Sequence, residues 1–115
     1  GEEFGPLFET YLLHELRAYL SYSGKRFPLA YFGTHDQVEV DVLFESSRDM
    51  VALEFKSSRQ WRSSFNKGFR RIRQEIPSVR CVGVYAGEHP QRFDGIDVMP
   101  YQRFLKTLWS GTLVS

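Results

Sequence analysis

The stretch that decides the fold is Gln37-Val38-Glu39-Val40-Asp41-Val42-Leu43-Phe44-Glu45, the tetrapeptide Ser46-Ser47-Arg48-Asp49, and Met50-Val51-Ala52-Leu53-Glu54-Phe55-Lys56-Ser57. In its first part Val38, Val40, Val42 and Phe44 alternate with Glu39, Asp41, Leu43 and Glu45, the period of two expected of a strand with unlike faces. In its second part Val51, Leu53 and Phe55 alternate with Ala52, Glu54 and Lys56. The tetrapeptide between them is turn-like, so an antiparallel hairpin is the simplest connection. If the apolar sets share one face, Asp41, Glu54 and Lys56 share the other and converge on one end of a sheet. Residues two apart in a strand point the same way, roughly 6–7 Å from each other, near enough for Glu54 and Lys56 to serve one centre. A half-buried cluster of two carboxylates and an ammonium is costly unless the charges pair or bind a cation.

Outward from the hairpin, the chain reads as α/β. Residues 6–22 form a helix: Pro6 suits the first turn, and Leu12, Leu13, Leu16 and Leu20 make a stripe at three- and four-residue spacing. Glu9 lies one turn before that stripe and points towards whatever the stripe covers; Glu15 is a weaker inward-facing acid. Gly24 is a left-handed cap. Phe27 to Phe32 is a short strand. After the hairpin, Ser57 to Trp61 is a loop, and Ser63 or Ser64 caps a helix to Ile76 with Phe65, Phe69, Ile72 and Ile76 inward. Gly68 weakens that helix by about 1 kcal/mol relative to alanine. Val79 to Ala86 has the near-continuous apolar run of a strand buried on both faces. Gly87 to Pro90 is loop, Gly95 to Met99 a last strand, and Pro100 opens a final helix whose aromatic stripe is core, ended by Gly111. The order is αβββαββα, a mixed β-sheet flanked by helices, with the second helix carrying the chain across to the buried strand.

At 115 residues this is a single domain. Its abrupt start in a helical pattern suggests a piece of a longer chain. One cysteine, Cys81, excludes a disulfide framework and makes a reducing cytoplasm the expected compartment; it reads as an inert core residue. No apolar stretch suffices to cross a bilayer, so no membrane partner is expected. His14, His35 and His89 lack ligand spacing, against a zinc site. Net charge is near zero but unevenly spread: Lys56, Arg59, Arg62, Lys67, Arg70, Arg71 and Arg73 follow one another with no acid among them. Cations without local partners favour phosphate contacts, which makes Arg59, Arg62, Lys67, Arg70, Arg71 and Arg73 candidate nucleic-acid contacts. The bland alternative is a solvated helix face. Trp61 reads as an edge-of-core anchor rather than a stacking platform.

Asp41, twelve intervening residues, then Glu54-Phe55-Lys56, after a helix bearing Glu9 and before a basic helix, resembles the PD-(D/E)xK nuclease superfamily. Phe8-Glu9, Val38-Glu39-Val40-Asp41-Val42 and Glu54-Phe55-Lys56-Ser57-Ser58 more narrowly resemble the nuclease-like C-terminal domain of predicted bacterial and archaeal AAA-type ATPases. The resemblance implies a restriction-endonuclease-like fold over residues 1–115, with an N-terminal ATPase domain in the full-length chain. It implies that Asp41 and Glu54, with the Phe55 carbonyl and Glu9, ligate Mg2+ or Mn2+, and that Lys56 handles the attacking water in hydrolysis of DNA phosphodiesters. The sequence departs from the pattern in having Val40 before Asp41, and its basic helix has no Gln-x-x-x-Tyr of the RecB-like branch. It contains no Walker sequence.

Three readings follow. The first is a metal-dependent nuclease domain. The second is a catalytically inactive module that keeps the fold for DNA binding or for docking to the ATPase. The third is an unrelated small α/β interaction domain, with Asp41, Glu54 and Lys56 as a solvent-facing ion-pair ladder.

Overall fold

The computed structural model describes residues 4–114. Along them run α1 (Phe4–Ser23), β1 (Ala30–Gly33), β2 (Glu39–Glu45), β3 (Met50–Lys56), a 3-10 turn (Ser63–Asn66), α2 (Lys67–Glu75), β4 (Arg80–Tyr85), β5 (Gln91–Phe93), β6 (Ile96–Pro100) and α3 (Tyr101–Trp109). The strands form one sheet in the order β1-β2-β3-β4-β6-β5. β3, β4 and β6 are parallel, and the remaining pairings are antiparallel. The mixed sheet between helices is therefore the architecture, and β4, buried along nearly its whole length, sits inside it as its apolar run requires. No helix among the described residues is long and apolar enough to cross a membrane.

Two layers of core lie on the two faces. On one, Leu12, Leu16 and Leu20 of α1 and Phe104 and Leu108 of α3 pack on Val42, Phe44, Leu53 and Phe55. On the other, Phe69 and Ile72 of α2, with Trp61, pack on Val40, Ala52, Cys81 and Val98. The membership of β2 is the informative part. Val40 faces α2 while Val42 and Phe44 face α1, so the apolar set of this strand does not share one face as its alternation predicts. The pairing with β1 gives the reason. Ala30 lies opposite Leu43 but Phe32 lies opposite Val40, so β2 carries one residue more than β1 across that interval. This is a β-bulge around Asp41, which rotates the strand between Val40 and Val42.

Other differences are local. The helix expected from Ser63 begins as a 3-10 turn, and neither serine caps it: Arg62 and Asn66 occupy the N-cap positions and make no side-chain cap bond. Gly68 is the point where α2 meets β2. A Cβ there would stand 2.0 Å from the Glu39 carbonyl oxygen and 2.8 Å from Val40 Cγ2, so close approach and not helix weakness explains the residue. Gln91–Phe93, between the expected loop and last strand, is a strand turned back on β6 through Asp94-Gly95, both at positive φ, with Phe93 opposite Ile96. An Asp-Gly pair between two short strands is the type I′ hairpin signal, and it was present in the sequence.

Candidate functional site

The β2–β3 ladder runs from Glu45 opposite Met50 to Val42 opposite Leu53. One step further, at the bulge, carboxylates replace ladder partners. The Asp41 N–H donates to Glu54 Oε1 at 3.1 Å, and the Phe55 N–H donates to Asp41 Oδ2 at 2.8 Å. Each acid thus satisfies a main-chain donor of the opposite strand, which a bulge would otherwise leave unpaired. The two carboxyls are also bonded to one another.

Glu54 is only 6% exposed. Burial, then the bond to Asp41 and its charge, push the Glu54 carboxyl up to about 9 against the opposing pull of Lys56. Glu54 is therefore protonated at neutral pH and donates to Asp41, which is how two acids share a site that holds few counter-charges. Glu9, half-buried on α1, is raised in the same way: first by burial, then by Asp41, with Lys56 lowering it. Lys56 is half-buried, with Nζ 5.0 Å from the centre of the Phe65 ring, a cation–π contact. So Glu9, Asp41, Glu54 and Lys56, from three elements, share one electrostatic environment at the end of the sheet. Phe55 enters through its backbone; its ring lies in the core, edge-on to Phe104. Glu15 does not join the site, since it accepts a bond from Trp109 Nε1 at 3.3 Å.

A divalent ion was expected among these residues. The donors are all oxygens, the set that hard cations take. Against this, among the described residues no group of three or more His, Cys, Asp or Glu is arranged to hold a metal, and two of the carboxyl oxygens are committed to main-chain N–H groups.

The charge surroundings of the basic helix differ from those its sequence implies. Its cations lack acidic neighbours in sequence but acquire them in space: Arg71 pairs with Asp36, Arg70 with Asp94 at 3.7 Å, and Arg73 donates to the Asp94 carbonyl at 2.9 Å. Arg59, Arg62 and Lys67 are exposed and make no ion pair with a described residue. Trp61 is buried, donates to Asn66 Oδ1 at 2.8 Å, and covers Gly83 so closely that a Cβ there would lie 2.6 Å from its ring. It is a core anchor, as expected.

Tyr31 escaped the sequence reading. It lies on β1 between the two residues that flank the bulge, with the Glu39 carboxylate near enough to act on its phenol. Glu39 above all, and Asp41 and Glu54 further off, raise that phenol, so Tyr31 rims the acid cluster. A lone tyrosine in a short strand gives no local sign of this.

Compared with curated proteins, the chain matches none. A protein-family model described as Domain of unknown function (DUF4143) matches residues 4–104, from the start of α1 into α3. Domains of this family are found in C-terminal regions associated with AAA-type ATPases. All of Glu9, Asp41, Glu54 and Lys56 fall within the match, and the chain belongs to the DUF4143 family.

Proposed function

We propose that this domain is a divalent-metal-dependent nuclease-like domain that hydrolyses DNA phosphodiesters, attached to an AAA-type ATPase. The observation that carries the reading is the bulge at Asp41, which brings its carboxyl against Glu54 beside Lys56 and Glu9. Asp41 and Glu54, with the Phe55 carbonyl and Glu9, would hold Mg2+ or Mn2+, which supplies Lewis-acid polarisation of the phosphate and activation of a water. Lys56, as an ammonium, would orient that water by donating a hydrogen bond to it. Its ammonium is kept near the acids by the Phe65 ring rather than by a tight ion pair, which leaves its protons available.

A second reading has its own support. The carboxyls already hold the hairpin together, and a module that only docks to the ATPase or to DNA needs nothing more of them. Calorimetric titration with manganese separates the two. Heat that disappears in both Asp41→Ala and Glu54→Ala favours the nuclease reading, and absence of heat in the unaltered protein rejects it.

A further inference from the structure

The residue after Lys56 opens a run of surface clefts. The first, about 550 Å³, lies where β3 and β4 end side by side, between Ser57 and Arg59 beyond β3, Glu88 beyond β4, and Phe4 and Tyr101 at the starts of α1 and α3. A second, about 370 Å³, shares Glu88 and Gln102 with it and adds Arg103 and Lys106 of α3. A third, about 460 Å³, shares Pro90 and Arg103 with the second and reaches Arg92 and Asp97. Shared lining residues set these clefts in a row from Ser57, the residue that follows Lys56, to the outer side of α3.

The floor of the groove is fixed. The Ala86 N–H donates to the Ser58 carbonyl at 3.0 Å, continuing the parallel β3–β4 pairing past the strand ends. A Cβ on Gly87 would stand 2.6 Å from the Arg59 carbonyl oxygen, and the Tyr85 hydroxyl donates to the His89 carbonyl at 2.6 Å. Its charge is unbalanced. Arg92 is paired with Asp97 at 2.7 Å, which leaves Arg59, Arg103 and Lys106 against Glu88. All three cations are exposed, and none forms an ion pair with a described residue. The arginines of α2, by contrast, are held by Asp36 and Asp94. Unpaired cations along a fixed channel suit an extended polyanion. Phe4, 51% exposed, and the half-buried Tyr101 line the end of the row beside Ser57, and base stacking on aromatic rings is the usual complement to such a channel.

We infer that this groove, and not α2, carries a single nucleic-acid strand to the acid cluster, with phosphates on Arg59, Arg103 and Lys106. The choice of partner rests on the nuclease-like reading, but binding along the groove needs no metal. The test is fluorescence anisotropy of a labelled oligothymidylate with the whole chain in EDTA, across a salt series. Replacing Arg59, Arg103 and Lys106 together by Gln should weaken binding roughly tenfold or more. It should also reduce the salt slope by about 2, at about 0.7 per lost single-strand contact. Arg70→Gln with Arg71→Gln should do far less. Four of the five side chains are exposed and Arg71 is half-buried, and thermal melts verify that both variants fold. The reverse ranking of the two variants overturns the inference. So does equal competition by a deoxynucleoside monophosphate, which would mark a nucleotide pocket instead of a strand path. Absence of any strand binding also overturns it, while manganese heat lost in Asp41→Ala would leave the metal reading standing.

Discussion

Replacing Glu54 by Gln should flatten the dependence of stability on pH and make the domain more stable in mild alkali. In the folded chain Glu54 keeps its proton up to about 9, against 4.5 for an unperturbed glutamate, because it is buried against Asp41. Between those values the folded state holds a proton that the unfolded state releases, so stability falls as pH rises. The contribution is fully present below about 4.5 and is lost as pH climbs through about 9. Each pH unit of that separation is worth about 1.4 kcal/mol, so the swing amounts to several kcal/mol, a large part of a small domain's total. Gln keeps an oxygen for the Asp41 N–H and gains an N–H for the Asp41 carboxylate, so both bonds survive without a charge to bury. Glu9 is raised too and leaves a residual slope of the same sign. Asp49, lowered by Arg80 and Ser46 against the opposing effect of its burial, adds stability that disappears only as pH drops through the acid range, outside this window. Urea unfolding between about pH 5 and 9 in EDTA measures the effect. Parallel profiles for the two proteins, or an unaltered protein that gains stability towards pH 9, would refute the shared-proton account.

Gly68→Ala sets two effects against each other. Helix propensity predicts a gain of about 1 kcal/mol, but a Cβ 2.0 Å from the Glu39 carbonyl forces α2 off β2, and overpacking of this kind costs about 1–3 kcal/mol. A net loss in urea unfolding is expected; equal or higher stability would show that α2 yields without resistance. Lys56→Ala should abolish cleavage of a plasmid substrate while manganese heats stay near those of the unaltered protein, because ammonium is not a ligand. Joint loss of both would contradict the role given to Lys56. Trp61→Phe removes the only partner of Asn66 Oδ1 among the described residues, on a side chain whose Nδ2 is already without one. Stranding a buried amide costs about 1–3 kcal/mol, and an unchanged denaturation midpoint would mean that water replaces the indole.

What could be read in the sequence was whatever is written at short range. The leucine stripe of α1, the apolar run of β4 and the alternation of the hairpin each fix an element type, because burial on one or both faces imposes its own period. The nearness of Asp41 to Glu54 follows from the hairpin alone, but the way their carboxyls meet depends on the bulge. The charge pairing of α2 was not legible: Arg71 finds Asp36 thirty-five residues away, and Arg73 reaches the Asp94 carbonyl at a separation of twenty-one. Counting acids within a helix and its neighbours cannot detect partners that sheet topology delivers. The bulge is the deeper case, since Val38-Glu39-Val40-Asp41-Val42 alternates without a flaw straight through it. Only the pairing with β1, one residue shorter over the same span, betrays it.

That one residue explains why the site exists at all. In an unbroken β2 the ladder would continue past Val42 and Leu53, so Asp41 and Glu54 would stand as an ordinary cross-strand pair of like charges, an unfavourable arrangement. Val40 would then face α1, and the close seat of Gly68 against β2 would lose the side chain it rests on. With the extra residue, Val40 turns to fill the α2 layer while Val42 stays in the α1 layer. The main-chain donors opened by the turn need acceptors, and the two carboxylates supply them. Packing demand on both faces of one strand therefore drives two acids together at the sheet end, and a shared proton is what makes their meeting tolerable in the absence of a cation.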